Sequence, residues 1–251
     1  MHTFLQGKIA VITGGSTGIG FATAKLFAEE GAKVYITGRN QSALDRAVEE
    51  IGPSATGIRA DSARLGDLDA LYGHVRSDVG RIDILFANAG GGSLLPLGQI
   101  TEEQVDDTFG RNVKGVIFTV QKALPLMGRG GSIILTGSTA ASGGTAAFSV
   151  YSASKAAVRN LARGWATDLQ GTGIRVNVLS PGPVRTPGLV GLAGDDAARQ
   201  QELLDHFAGA IPLGRVGEAE EIAQAALFLA SDKASFVNGS ELFADGGAAQ
   251  V

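Results

Sequence analysis

Apolar residues along this chain fall into two rhythms. Short runs rich in Val and Ile recur at 8–13 (KIAVIT), 33–37 (KVYIT), 57–60 (GIRA), 83–87 (DILFA), 132–136 (SIILT), 174–179 (IRVNVL) and 241–244 (ELFA). Several are apolar on consecutive positions, which predicts strands of a parallel sheet covered on both faces. Between them, apolar residues spaced three and four apart predict helices over 20–30, 42–51, 65–79, 102–127, 151–169 and 219–230. The first puts Ala22, Ala24, Leu26 and Phe27 on one face and stops at Gly31. Regular strand–helix–strand alternation predicts a doubly wound α/β sheet with right-handed crossovers. No internal repeat or linker divides the chain, so one domain over 1–251 is expected. The exception to regularity is the Pro- and Gly-rich stretch around 181–214, with a single short helical patch; its part from about 187 to 214 is expected to form a lid over a ligand.

Composition narrows the function. With 44% hydrophobic and 18% charged residues among 251, the chain can bury one large core. A net charge of −4 without a Lys/Arg cluster argues against nucleic-acid or anionic-membrane partners. Cysteine is absent, which removes disulfides, thiolate metal sites and a Cys nucleophile. The N-terminal stretch MHTFLQGKIAVITGG has no basic region followed by a cleavage site, and no apolar run nears the roughly 20 residues of a membrane span; a cytoplasmic protein is expected.

The chemistry begins at VITGGSTGIGF. Its glycines, at 14, 15, 18 and 20, do not fit G-x-G-x-x-G, yet strand, glycine loop and amphipathic helix follow in the order a phosphate loop needs. A Walker-type loop is excluded, because no Gly-Lys-Ser/Thr follows. At the end of the second predicted strand stands Arg39, where an acidic residue would hold a ribose 2′-hydroxyl and an Arg suits a 2′-phosphate. Tyr151 and Lys155 lie one helical turn apart, and an ammonium beside a phenol can lower its pKa toward general acid/base use. Ser138 follows the strand at 132–136, Asn88-Ala89-Gly90 ends another strand, and Asn112 sits within a predicted helix, where Asn is a poor helix former. The histidines His2, His74 and His206 have no partners for a triad or metal site, so no metal is expected. Trp165 is read as packing or a subunit contact.

Together these pieces resemble the short-chain dehydrogenase/reductase family, from end to end. The matching motifs are TGGSTGIG, NAG at 88–90, the Asn112–Ser138–Tyr151–Lys155 tetrad, SPGPVRTP at 180–187 and DGG at 245–247. The resemblance implies a Rossmann-like sheet of about seven strands, order 3-2-1-4-5-6-7, and a homotetramer with ELFADGGAAQV near an interface. It implies Tyr151 as general acid/base, Lys155 tuning it and holding the nicotinamide ribose, Ser138 binding the substrate oxygen, and Asn112 holding a water that connects Lys155 to solvent. Gly14, Ser16, Thr17, Gly18 and Ile19 would surround the pyrophosphate and adenosine ribose. Asp61 and Ser62, with Asn88, Ala89 and Gly90, would lie on the adenine side. Pro181, Gly182, Val184 and Thr186 would border the nicotinamide. Two departures stand out: Ala87 replaces a second Asn common in the family, and the glycine loop carries Ser16-Thr17 where many NADPH-preferring members have Lys or Arg.

Arg39 therefore carries the expectation of NADP(H), with NAD(H) as a second cofactor. The substrate wall is expected from 93–97, 140–148 and 187–207, where an apolar PGLVGLAG and Phe148 favour a small-molecule ketone or keto ester over a sugar. Reduction of 3-oxoacyl thioesters and glucose 1-dehydrogenase-like polyol oxidation are the alternatives; a silent nucleotide sensor is a more distant one.

Overall fold

The computed structural model describes residues 3–251; His2 lies outside the described residues. Its core is a seven-stranded, wholly parallel sheet built from β1 (Ile9–Ile12), β2 (Lys33–Gly38), β3 (Ala55–Arg59), β4 (Ile82–Ala87), β5 (Met127–Thr136), β6 (Arg175–Pro181) and the last strand, β9 (Glu241–Ala244). Two two-residue strands, β7 (Val184–Arg185) and β8 (Gly217–Glu218), pair with each other outside it. The sheet order is β3-β2-β1-β4-β5-β6-β9, the expected order, with each of the seven predicted strands present.

Strand alternation divides the core into two layers. Ala10, Ile12, Val34, Ile36, Ile84 and Phe86 face one side. There they meet Phe27 of α1 (Gly18–Glu29), Leu44 of α2 (Gln41–Ile51) and Ile222 of α9 (Ala219–Ala230). Ile9, Val11, Tyr35 and Leu85 face the other side. They pack on α3 (Leu65–Asp78), α5 (Gly115–Ala123) and α6 (Ser149–Asp168) through Leu71, Val120 and Val158. Trp165 of α6 packs against this second layer, one of the two roles expected for it.

Two expectations need correction. The helix predicted over 102–127 is α4 (Glu102–Phe109), one π turn (Gly110–Lys114), α5 and a short 3-10 turn (Leu124–Leu126), and Met127 already begins β5. Pro125 in that turn cannot continue the α-helical ladder. The irregular stretch is also more ordered than its composition suggests. It holds α7 (Pro187–Val190) and the fourteen-residue α8 (Ala197–Ala210), capped by Asp196, whose carboxylate accepts from the Ala198 and Arg199 amides. Leu204, Ile211 and Val216 give it a small core of its own, against which Leu189, Phe207 and Ala248 pack.

Because β1 pairs with both β2 and β4, chain order reverses there. Open α/β sheets bind ligands in the crevice outside the strand carboxyl ends at such a switch point.

Candidate active site

The crevice is present as a cleft of about 820 Å³, running from Arg39 at the end of β2 past the glycine loop to Tyr151 and Lys155. That size suits a small-molecule or cofactor site. At one end, Gly14 (φ +65°) and Gly18 (φ +55°) adopt the left-handed backbone that glycine allows at no steric cost. A side chain on Gly20 would collide with the Gly14 carbonyl and the Asn88 amide, so α1 can approach the loop only as glycine. Thr17 is the N-cap of α1 but makes no side-chain cap bond, and no acidic residue sits in the first turn. The first-turn N–H groups and the positive dipole end are thus left for an anion, so the loop fits a pyrophosphate.

Asn88 fastens this loop to the centre of the sheet. Its amide nitrogen donates to the Thr13 and Gly14 carbonyls at 3.1 and 3.2 Å, and its backbone N–H donates to the Thr13 hydroxyl at 3.1 Å. The Asn88 side chain therefore buttresses the phosphate loop with its donors. Thr13, which also accepts from the Ala89 N–H, went unnoticed in the sequence.

Arg39 is exposed, and its guanidinium has no carboxylate within ion-pair distance among the described residues. Ser16, Asp61 and Ser62 line the same end of the cleft. Asp61 holds a turn, accepting from the Ala63 N–H at 3.0 Å. On the opposite wall Pro181, Gly182, Val184 and Thr186 close over the loop; Thr186 caps α7 and lies where a Gly18 side chain would come within 3.2 Å of it.

The reactive end is built on α6. Lys155 is buried and donates to the Thr136 carbonyl at 2.8 Å, leaving two ammonium hydrogens for a ligand. Burial disfavours its charged form and lowers its pKa to about 8. Tyr151 differs from the simplest expectation. Burial raises its phenol above the ordinary value, opposed only by hydrogen bonding with Ser138. The Lys155 ammonium lies 5.6 Å from the Tyr151 ring centroid and bonds Thr136 rather than the phenol. The phenol is therefore held protonated at neutral pH. Phe148 stacks on its ring with centroids 4.3 Å apart. Gly92 lies directly against it: a Cβ there would come within 2.6 Å of Tyr151 Cδ2. Gly92 is thus a close-packing position beside the Tyr, and Gly90 is one against Asn112.

Asn112 is fully buried behind the cleft in the π turn, a helix irregularity common at functional sites. Its amide donates to the Gly91 carbonyl and the Ser154 hydroxyl, both at 2.9 Å, and its oxygen accepts from the Gly91 N–H at 3.0 Å. Both amide hydrogens are spent on protein, so the side chain offers a water only the second lone pair of Oδ1. Every other predicted site residue lines the one cleft.

The expected substrate wall is met in part. Leu94, Ser142, Phe148, Leu189, Leu203 and Phe207 line the cleft, whereas Leu97 is 91% exposed. Ala248 and Ala249 also line it, held by Asp245, which accepts from the Gly247 and Ala249 amides. The sequence reading missed them, and the DGG turn was the available signal. Of the histidines, His74 and His206 are exposed, and no cluster of metal-ligating side chains occurs among the described residues.

Residues 14–249 match a family model described as enoyl-(acyl carrier protein) reductase. The chain is 51% identical over 249 residues to the oxidoreductase asL5 of Sarocladium schorii, covering 98% of both. The chain belongs to the short-chain dehydrogenase/reductase family. It is also 38% identical to the 3-oxoacyl-[acyl-carrier-protein] reductase FabG of Thermotoga maritima, over 97% of this chain and 98% of that one. A solved short-chain dehydrogenase/reductase of Brucella melitensis, described as a glucose/ribitol dehydrogenase, superposes with a TM-score of 0.92 at 29% identity over the whole of both chains. Family membership makes the protein an NAD(P)-dependent oxidoreductase acting on CH–OH groups. No described helix is long and apolar enough to cross a membrane.

Proposed function

We propose that the protein is an NADP(H)-preferring carbonyl reductase, reducing a ketone or keto ester to a secondary alcohol and able to run in reverse. The observation that carries this reading is geometric: Tyr151 and Ser138 line the same end of the cleft, with Lys155 buried one helical turn after Tyr151. The nicotinamide, when bound, supplies or accepts hydride. Tyr151 Oη gives its proton to the carbonyl oxygen as an alkoxide develops there, a general-acid step worth about 10²–10⁴-fold. Ser138 donates a hydrogen bond to that same oxygen. Lys155 uses its free ammonium hydrogens on the cofactor ribose and offsets charge left on the phenolate. Asn112 fixes the Gly91 segment against α6 and so sets the floor of the site.

Preference for the 2′-phosphate rests on Arg39, exposed and without an acidic partner among the described residues, since the loop itself offers only the Ser16 and Thr17 hydroxyls. Leu94, Phe148, Leu189 and Phe207 favour an apolar body on the substrate. Reduction of a 3-oxoacyl thioester, the activity in the name of the Thermotoga relative, is the second reading, supported by that relative's identity over nearly full length. Against an acidic carrier protein stand Asp195, Asp196, Glu202 and Asp205 on the lid, all exposed, with Arg199 the one cation among them. The resemblance further supports a homotetramer, which sedimentation velocity would test.

The deciding experiment follows nicotinamide absorbance with NADPH and with NADH across ketones, keto esters, a 3-oxoacyl thioester and, in the oxidative direction, polyols. The reading expects ketone turnover favouring NADPH. Tight NADPH binding with no turnover of any carbonyl would refute it in favour of a nucleotide sensor.

A further inference from the structure

Phe148 stands in a position that local helix physics does not explain. It is the N-cap of α6, where Ser, Thr, Asp or Asn would satisfy a free N–H, and its side chain makes no cap bond. The residue before it, Ala147, is the one non-glycine at positive φ (+59°) among the described residues. Left-handed backbone is costly for an L-residue, and such strain persists where surrounding structure enforces it. Here the enforcement is visible: the Ala147 carbonyl accepts from the Leu95 N–H at 2.8 Å, tying this turn to the loop that carries Gly92 and Leu94. The result is a ring stacked on Tyr151 at 4.3 Å and an interplanar angle of 20°. Both rings line the cleft, and Phe148 is only partly buried, so the core does not require it.

We propose that Phe148 is a positioning residue that holds the Tyr151 ring in its reactive orientation, and that the same ring limits the bulk a substrate can carry beside its carbonyl. This rests on the carbonyl-reductase reading above. Gly92 backs the Cβ–Cδ2 edge of the Tyr ring and cannot retreat freely, because Gly91 is bonded on both sides to Asn112 and Ser93 is held by Gln104 at 3.0 Å. The stacked Phe is then the movable part of the support. A chain that spends backbone strain and gives up a polar cap to place an aromatic ring against its phenol has used both to orient that phenol.

The test compares Phe148→Leu, Phe148→Ala and Phe148→Tyr on a small methyl ketone and on a bulky aryl ketone, with melting temperature and cofactor affinity measured alongside. Phe148→Leu is expected to lower kcat on the small ketone about three- to tenfold, the fold-change of a lost aromatic pair, with KM and cofactor affinity little changed. Phe148→Tyr, which restores the stack, should recover it. Phe148→Ala should raise the kcat/KM ratio of the bulky over the small ketone. Wild-type kcat in Phe148→Leu, failure of Phe148→Tyr to rescue, or an unchanged bulk ratio in Phe148→Ala would overturn the inference while leaving the function intact. Absence of turnover by the wild type on every carbonyl would overturn both.

Discussion

Gly92→Ala puts the geometry of the site to a quantitative test. The glycine has ordinary backbone angles, so alanine brings no conformational strain of its own; it brings only a methyl group. That methyl would stand 2.6 Å from Tyr151 Cδ2, 2.9 Å from its Cβ and 3.0 Å from its Cγ, where ordinary contact starts near 3.4 Å. The overlap with Cδ2 is therefore about 0.8 Å. The loop is pinned on either side of residue 92, by Asn112 on Gly91 and by Gln104 on Ser93, so the Tyr ring takes up most of the displacement. Displacing a reacting group by about 1 Å can cost about 10²-fold in rate, and overpacking of this kind costs about 1–3 kcal/mol of stability. The expected result is a kcat lowered about 10²-fold, a modest drop in melting temperature, and cofactor affinity unchanged, because the phosphate cradle lies at the far end of the cleft. Gly91→Ala is the neighbouring control, since its Cβ meets only Arg111 Nη1 at 3.4 Å. The assay is steady-state reduction at saturating cofactor, with cofactor titration and thermal melting on the same preparations. A kcat within about threefold of wild type in Gly92→Ala would refute the close support of Tyr151 by this loop.

Three further outcomes follow from charge. Burial holds the Lys155 pKa near 8, below its ordinary 10.5, so the ammonium is lost as pH rises through about 8. kcat/KM for reduction should decline above that pH, and a profile flat across the range would contradict the role. Over the same window, from about 8 to 10.5, the unfolded chain binds the proton that the folded one has released, so this group's contribution to stability rises with pH. At the other end of the cleft, Arg39→Ala should weaken NADPH binding by about 1–3 kcal/mol and NADH far less. Equal losses, measured by titration, would remove the 2′-phosphate from the account.

The sheet was legible because its signal is local. Runs such as KIAVIT and KVYIT are too short and too evenly apolar for surface helices, and the family resemblance implied their order in the sheet. The placement of Tyr151 and Lys155 on one helical face was legible as well, from their spacing, while Ser138 beside them in the cleft and Asn112 buried behind it came with the fold. What stayed hidden depends on distant contacts. Nothing near Gly92 announces that Tyr151, far along the chain, will press against it. The π turn at Gly110–Lys114 escapes a 3.6-residue rhythm because it inserts a residue into that rhythm, and it is what buries Asn112 behind the cleft. The balance at Tyr151 also depends on distant contacts. An ammonium one turn away suggests a lowered pKa, but burial raises it, and the ring is buried in part under the stacked Phe148. Helix α8 was underestimated because the Pro and Gly around it dominate the composition, although the Asp196 cap was there to be read.

The central claim is that the Tyr151 phenol delivers the proton during carbonyl reduction. Tyr151→Phe removes one oxygen atom and leaves the ring, its stack on Phe148 and its contact with Gly92 in place. Ketone turnover of this variant, followed by NADPH absorbance beside a direct NADPH titration, is predicted to fall by about 10²–10⁴-fold while NADPH affinity stays near that of the wild type. Retained turnover at undiminished affinity would contradict the account.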